Sequence, residues 1–296
     1  MFIFAKMFDM NRQIIYLLCF GVSGYVAAEE TASNRQNATL KAEYEAIHVL
    51  ADKEGNPKEE TSKWILQLAA GSSYYYNPQT FFVDSLMNDP NGKAIHRAVW
   101  DEALEEFSRT GADAMQIVKE KGMMRESQYK CLKDYGEEKM TVWDVNFGDA
   151  FRYSVPMDDL VWEITDSTKN VMGYECQMAE AEYHGRKWSA WFAPEISVPD
   201  GPWQLYGLPG LIMEAASVDG DYKFIIKGLQ KCNEPLKDPY EKENIYTSKR
   251  KNFLKQKDYT RRNRSARLAA MTNGEVNVKN ADYTGTDDFL ETDYHE

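Results

Sequence analysis

The four histidines and four cysteines of this chain could bind metals or act in nucleophilic catalysis, but their spacing disfavours both. No two histidines stand at the spacing of a metal site, and no Cys-x-x-Cys or Gly-x-Ser-x-Gly occurs. Cys176 and His184 could suggest a cysteine nucleophile, but an extended strand between them spans about 26 Å. That separation is far beyond hydrogen-bond reach. The sequence therefore predicts no catalytic residue, no metal ligand and no cofactor.

Aromatic residues make binding easier to motivate than catalysis. In the predicted strand "KWSAWFAPEI", Trp188 and Phe192 point to one face and Trp191 to the other. If one face of a single sheet is core, the other becomes an exposed aromatic surface, whereas the alternative is that both faces are covered. Arg186 could meet an anionic group there or form an ordinary hairpin ion pair. The predicted binding residues are Arg186, Trp188, Trp191, Trp203 and Tyr206, with a lipid or an envelope protein as the partner.

The stretch "GPWQLYGLPGLIMEA", residues 201–215, has the composition of a turn that leads into a strand. Pro209 and Gly210 suit the two central positions of a type II turn, which requires a positive φ at the glycine. A half-buried strand beginning at Leu211 would bury either Leu211 or Ile212 and expose the other. The stretch lacks the lysine and hydroxyl residue of a phosphate-binding loop. The predicted structural motif is Gly207, Leu208, Pro209, Gly210, Leu211 and Ile212.

The amino-terminal residues are typical of an export signal. Lys6 and Arg12 precede an apolar run over residues 14–26, which is shorter than the about 20 residues of a membrane-spanning helix. Val26 and Ala28 are the small residues that favour cleavage after Ala28, and Met10 is an alternative start. Lipidation of Cys19 is the competing hypothesis, but Leu18 is too large for that signal. We expect a periplasmic or outer-membrane-associated protein without a transmembrane segment.

Composition limits the partner classes of the exported chain. The full sequence has a net charge of −12, which disfavours general binding to nucleic acid and anionic membranes. Removal of the signal leaves Cys131, Cys176 and Cys232, which allows one disulfide with one free thiol or three buried thiols. Aromatic residues make up 13% of the chain, which is typical of β-rich proteins.

Hydrophobic periodicity predicts an α+β fold that is mainly antiparallel sheet, a curved meander or half-barrel with one or two helices packed on it. Two long strands flank the Gly-Asn-Pro turn at 55–57, and strand patterns recur from 129 to 229. Apolar residues at helical spacing predict a helix over 95–118, with Gly111 as a break and Gly122 as its end. The turns "HGRK" at 184–187 and "VDGD" at 218–221 predict hairpins.

Charge patterning separates the carboxyl-terminal region. Residues 249–267 are dense in lysine and arginine, and residues 275–296 are mostly acidic and polar. The basic run could dock on a partner, on acidic lipids or on the acidic tail, or could be a solvated helix face. We predict a signal at 1–28, one β-rich domain at 29–245, and an extension at 246–296 that is helical and then disordered.

The central block resembles a known family. "GYECQMAEAEYHGRKWSAWFAPEISVPDGPWQLYGLPGLIMEA", residues 173–215, is similar to the GLPGLI family of exported Bacteroidetes proteins, and "LQLAAGSSYYY" fits the family's opening. Ser197 departs from the family pattern, which has proline there. The resemblance implies an exported, β-rich envelope protein without an established activity. We therefore expect non-enzymatic binding of a lipid or protein, with an envelope hydrolase assembled only in three dimensions as the alternative.

Overall fold

The computed structural model describes residues 37–51, 56–237, 239, 244–271 and 289–295. The predicted signal at 1–28 lies outside the described residues. Two compact units divide the chain, and one of them comprises residues 94–123 among those described. The other unit contains the sheet and the carboxyl-terminal region.

Twelve strands form one sheet among the described residues. They are β1 (Asn37–Ala51), β2 (Pro57–Ala69), β3 (Ser72–Tyr76), β4 (Lys130–Asp134), β5 (Lys139–Asn146), β6 (Asp149–Pro156), β7 (Glu163–Val171), β8 (Tyr174–Tyr183), β9 (Arg186–Ala193), β10 (Leu211–Ser217), β11 (Tyr222–Pro235) and β12 (Ile245–Thr247). The spatial order is β12-β6-β5-β4-β3-β2-β1-β11-β10-β9-β8-β7, and the sheet is open. All described neighbours are antiparallel except the short pair β12–β6. The predicted fold class, mainly antiparallel sheet with a few helices, is confirmed.

The described helices are α1 (Pro78–Asn88), α2 (Pro90–Thr110), α3 (Ala114–Glu120), α4 (Arg250–Arg262) and α5 (Arg264–Met271). Asn77 caps α1, because its side-chain oxygen accepts a hydrogen bond from the Thr80 amide at 2.8 Å. Helix α4 packs on β6, where Phe253 contacts Phe151 with ring centroids 5.1 Å apart. None of the described helices is long and apolar enough to cross a membrane.

In the unit of residues 94–123, the predicted break and end of the helix are confirmed. Gly111 and Gly122 have positive φ values of 77° and 66°, where α2 gives way to α3 and where α3 ends. Asp113 caps α3 by accepting a hydrogen bond from the Met115 amide at 2.9 Å. Ile95 and Phe107, which the periodicity predicts to be buried, are 52% and 49% exposed.

The main core lies on one face of the sheet. Tyr44 and Leu66 from the central strands are fully buried, as are Trp188 and Phe192 from β9. Both predicted hairpin turns are present. His184 and Gly185 have positive φ between β8 and β9, and Gly220 does so between β10 and β11.

The turn at 207–210 differs from the predicted one. The positive φ falls on Gly207, at 88°, and not on Gly210. Gly210 is needed for a different reason, because a Cβ there would lie 2.6 Å from the Ala193 carbonyl carbon and closer still to its oxygen. The predicted type II turn is therefore wrong, and close approach of two backbones explains the glycine.

The predicted alternation of Leu211 and Ile212 is also wrong. Strand β10 begins at Leu211 as predicted, but Leu211, Ile212 and Met213 are all fully buried. The loop before the strand covers the second face, since a Cβ on Gly201 would lie 2.8 Å from the Ile212 Cβ. A strand covered on both faces buries successive side chains.

Candidate functional site

A buried lysine fixes the loop of residues 200–206 over the sheet. Lys133 lies on β4, and its side chain has no exposed surface. Its ammonium group donates hydrogen bonds to the Asp200 carboxylate at 2.5 Å, the Gly201 carbonyl at 2.8 Å and the Leu205 carbonyl at 2.7 Å. All three donors of the ammonium group are used. Lys133 therefore holds the loop in place and has no donor left for a ligand.

Three of the predicted binding aromatics belong to the core. Trp188 is fully buried, Trp203 is 2% exposed and Tyr206 is 7% exposed. The rings of Trp188 and Trp203 pack 5.4 Å apart, which places the loop against β9. The Tyr206 carbonyl accepts a hydrogen bond from the Trp162 indole at 2.7 Å. These side chains do not line an exposed groove, because Trp203 and Tyr206 belong to the loop and pack in the same core as Trp188.

Trp191 lies on the opposite face of β9 and is half-buried. The Lys169 ammonium group sits 4.4 Å from the centroid of its ring and also pairs with Glu214 at 2.5 Å. A cation over an indole is a favourable surface contact. The structure thus separates Trp191 from the other four predicted residues, and its binding role stays a prediction.

Arg186, the fifth predicted residue, binds a segment of the chain itself. Its guanidinium group donates to the carbonyl oxygens of Phe289 and Leu290, at 3.0 and 3.2 Å. The same group pairs with Asp219 and, at 3.0 Å, with Asp221 in the β10–β11 turn. Arg186 is 6% exposed. These ion pairs join Arg186 to the turn of a neighbouring hairpin, and its contacts extend to residues 289–295, which we call the C-terminal segment.

The β8–β9 turn receives the middle of the C-terminal segment. The Thr292 amide donates to the His184 carbonyl at 2.9 Å, and the Thr292 hydroxyl donates to the Gly185 carbonyl at 3.0 Å. Gly185 has a φ of 82°, and a Cβ there would lie 2.7 Å from the Asp293 nitrogen. Glycine at 185 thus serves both the turn and the close approach of the segment.

Arg250 on α4 binds both carboxylates of the C-terminal segment. Its guanidinium group donates to Glu291 at 2.6 Å and to Asp293 at 2.7 Å, with a second bond to Asp293. Burial alone would raise the pKa of Asp293, but hydrogen bonds from His184 and Arg250 hold it well below its usual value. The carboxylates raise the pKa of Arg250 although burial opposes them. These are charge-assisted contacts.

Glu291 completes a buried polar cluster. It is 4% exposed, and one carboxylate oxygen accepts from the Tyr153 hydroxyl at 3.2 Å and from the Gln204 amide at 3.0 Å. The carbonyl oxygen of the Gln204 side chain faces the His184 Nε2 at 3.3 Å. The cluster therefore joins the loop of residues 200–206, the β8–β9 turn and the C-terminal segment.

His184, Glu291 and Asp293 have the chemistry of metal ligands. One ligand atom from each lies within 4.8 Å of the others. Imidazole nitrogen and carboxylate oxygen form a common donor set for divalent ions. Here, however, the Arg250 guanidinium group binds both carboxylates and would repel a cation. The arrangement fits an ion-pair network that anchors the C-terminal segment.

A polar surface cavity of about 220 Å³ lies elsewhere, on the outer face of β1 and β2. Two of its carboxylates are paired, Glu43 with Lys63 and Glu45 with Lys227, each at 2.8 Å. Its lining comprises Glu43, Tyr44, Glu45, Thr61, Ser62, Lys63, Glu126 and Lys227. These ion pairs leave neither glutamate unpartnered for acid–base chemistry.

The three cysteines of the predicted mature chain are free thiols. Cys131 and Cys176 are fully buried. Burial raises the pKa of Cys131 to about 12, which keeps its thiol protonated and unreactive at neutral pH. No disulfide joins these three described cysteines, and Cys232 is only partly buried, so the alternative of three buried thiols holds for two of them.

Sequence reasoning missed the C-terminal segment. The predicted disorder at the end of the extension is wrong for 289–295, where Tyr294 is 1% exposed and Glu291 is 4% exposed. The aromatic residues Phe289 and Tyr294, which interrupt an acidic stretch, were the available signal. The remaining residues of the predicted disordered tail, 272–288 and 296, lie outside the described part.

Comparisons with known proteins find a family model that matches part of the central block and whose description assigns no function. Residues 182–214 match a family model described as "Protein of unknown function (Porph_ging)", which is associated with Bacteroidetes. The match runs from the end of β8 into β10. Membership of the GLPGLI family, which the resemblance implied, stays a prediction. No curated protein matches the chain.

Similar solved structures include two of PNGF-II, in the P21 and C2 space groups. Each is 13% identical, with a TM-score of 0.47 over 76% of this chain. The matches cover 34% and 33% of those chains, so this chain spans about a third of their length.

Proposed function

We propose that this protein is an exported cell-envelope protein that binds a short peptide segment of a partner protein. The proposal is based on the site that binds the C-terminal segment. The groups that form this site are distant from the segment in the sequence, and we call the site the segment groove. It is formed by Arg186, the β8–β9 turn, Gln204 and Arg250.

The contacts in the segment groove are of the kind that peptide-binding proteins use. Main-chain groups of Phe289, Leu290 and Thr292 are hydrogen-bonded, which favours binding of a peptide independently of its side chains. The buried side chain of Tyr294 supplies an anchor for specificity. In this chain the tethered segment competes with a partner at a local concentration of up to ~mM.

A labelled peptide of residues 286–296 tests the proposal by fluorescence anisotropy. The receptors are full-length Tyr294→Ala and full-length Asp293→Asn, in which the tethered segment is weakened. We expect saturable binding to both receptors and roughly tenfold weaker binding to the unsubstituted protein, because its own segment competes. A combined Arg250→Ala and Tyr294→Ala receptor is the control and should lose binding. Absence of saturable binding to both loosened receptors would refute the proposal.

Export is supported by the basic, apolar and small residues that end at Ala28. We expect the mature protein to begin at Glu29. Amino-terminal sequencing of protein from the cell envelope would contradict this expectation if it returned Met1, Met10 or a lipidated Cys19.

A further inference from the structure

We infer that the segment groove selects a particular peptide chemistry: two carboxylates two residues apart, followed directly by a buried aromatic side chain. In the C-terminal segment these positions are Glu291, Asp293 and Tyr294. This inference rests on the proposed function and names the class of partner, a protein that displays an E-x-D-aromatic segment.

The first carboxylate meets a fixed set of donors. Glu291 accepts hydrogen bonds from Tyr153, Gln204 and Arg250, at 3.2, 3.0 and 2.6 Å. A neutral residue in its place would leave buried donors unpaired, and an unpaired buried donor is more costly than a lost surface contact. The groove therefore favours a carboxylate at this position, because a neutral side chain would leave buried hydrogen-bond donors without an acceptor.

The second carboxylate, that of Asp293, is recognised by the planar guanidinium group of Arg250. Both oxygens of Asp293 accept hydrogen bonds from Arg250, which also binds Glu291. The His184 Nδ1 lies 3.7 Å from Asp293. One planar guanidinium group can bind both carboxylates only when their spacing matches its donors. Spacing is thus part of the selection, and net charge alone is not sufficient.

Between the carboxylates, Thr292 sets the register. Its amide and hydroxyl groups bond the His184 and Gly185 carbonyls at the β8–β9 turn. Tyr294 then enters the core, where it is 1% exposed, and its ring centroid lies 5.9 Å from that of Phe289. The aromatic position is therefore fixed directly after the second carboxylate.

Variants of the 286–296 peptide, measured against full-length Tyr294→Ala and Asp293→Asn receptors, test the selection. The tested peptides carry Glu291→Gln, Asp293→Asn, or an exchange of Thr292 and Asp293 that keeps the charge and changes the spacing. The matched control is Asp288→Asn, which removes one charge at a position that precedes the described C-terminal segment in the sequence. We expect the three tested peptides to bind roughly tenfold or more weakly, and the control to bind within about twofold of the parent peptide.

The outcomes separate this inference from the proposed function. If the parent peptide binds and the three tested peptides match it, the selection is wrong while peptide binding stands. If the parent peptide binds neither receptor, the proposed function fails and the selection fails with it. An Arg250→Lys substitution in both receptors provides a second readout. Because lysine keeps the charge without the planar fork, the preference for the parent over the exchanged peptide should shrink.

Discussion

At the scale of single residues, buried polar groups explain the central motif better than its glycines and prolines do. Lysine is rarely buried, and a sequence gives no sign of a buried lysine unless its partners are known. The residues around Lys133 therefore did not suggest that it anchors a loop. Its partners, Asp200, Gly201 and Leu205, lie about 70 positions further along the chain. Sequence reasoning predicted a turn before β10 with the wrong turn type, and it did not find the lysine that holds the preceding loop.

Substitution of Lys133 by methionine should strongly destabilise the protein. The change leaves the Asp200 carboxylate buried without its cation, which typically costs about 3–5 kcal/mol. Urea denaturation followed by tryptophan fluorescence measures the loss. Lys63→Met is the control, since the exposed pair with Glu43 should contribute less than about 1 kcal/mol. Equal midpoints for the two variants would contradict the anchoring role of Lys133.

Two glycines of the motif should differ in how they respond to alanine. Gly207→Ala adds a Cβ in open space at a φ of 88°, which costs roughly 1 kcal/mol from strain. Gly210→Ala places its Cβ against the Ala193 backbone, where neither strand can move freely, and should cost about 1–3 kcal/mol. Chemical denaturation should rank Gly210→Ala as the more destabilised. The reverse ranking would show that the backbone contact relaxes easily.

At the scale of elements, local sequence patterns were sufficient to predict strands and hairpin turns. They were not sufficient to predict which strands pair with each other. The hairpin turns at Gly185 and Gly220 were predicted because glycine marks a positive φ. The turn at Met172 and Gly173, between β7 and β8, was not among the predicted turns. Pairing of β1 with β11 joins residues almost 200 positions apart, which no local period encodes.

The C-terminal segment shows why composition alone misjudged an element. Its acidic and polar neighbourhood predicts disorder, because such segments bury too little apolar surface to order themselves. Order here comes from distant cations, Arg186 and Arg250, and from a turn whose carbonyls accept its hydrogen bonds. Those partners are specified by the tertiary fold, so the candidate site could not be assembled from the sequence.

Truncation after Met271 should lower the melting temperature. It removes the buried Tyr294, two carbonyl acceptors of the buried Arg186, and both carboxylates that bind the partly buried Arg250. For a domain of this size each kcal/mol shifts the midpoint by about 2–4 °C, and we expect a fall of about 4 °C or more. Tyr259→Ala, at a site 69% exposed, is the control and should leave the midpoint almost unchanged. A truncated protein that melts with the parent would show that the segment contributes no stability.

At the scale of the whole molecule, several basic residues of the run at 249–267 form ion pairs with acidic residues of the same chain. Arg250 binds the C-terminal segment, and Lys257 pairs with Asp144 on β5 at 2.5 Å. Arg267 on α5 approaches Asp149 at 3.5 Å. Among the alternatives for the basic run, docking on the acidic tail accounts for the Arg250 contacts, whereas Lys257 and Arg267 pair with the sheet. Some of the basic charge is thereby neutralised within a chain whose net charge is −12.

The protein should therefore become less stable in acid, because protonation of the carboxylates removes their ion pairs. The pKa of Asp293 is lowered by hydrogen bonds from His184 and Arg250, against the effect of burial. The pKa of Asp219 is also lowered, because hydrogen bonds from Ser217 and the Asp221 amide, and the charge of Arg186, outweigh burial. A carboxylate whose pKa falls on folding stabilises the protein fully above its unfolded value, about 3.9. The stabilisation is lost as the pH falls below that value toward the lowered native pKa.

Melting temperatures measured by circular dichroism from pH 7 to pH 2.5 test this linkage. The parent should lose stability most steeply below about pH 4. Asp293→Asn should melt lower than the parent at pH 7, because it loses the charge that Arg250 binds. Its curve should be flatter in acid, because asparagine has no proton to take up. Asp101→Asn, at a position 65% exposed on α2, should follow the parent curve throughout. Parallel curves for the parent and Asp293→Asn would show that the Arg250 network does not couple the C-terminal segment to the stability of the fold.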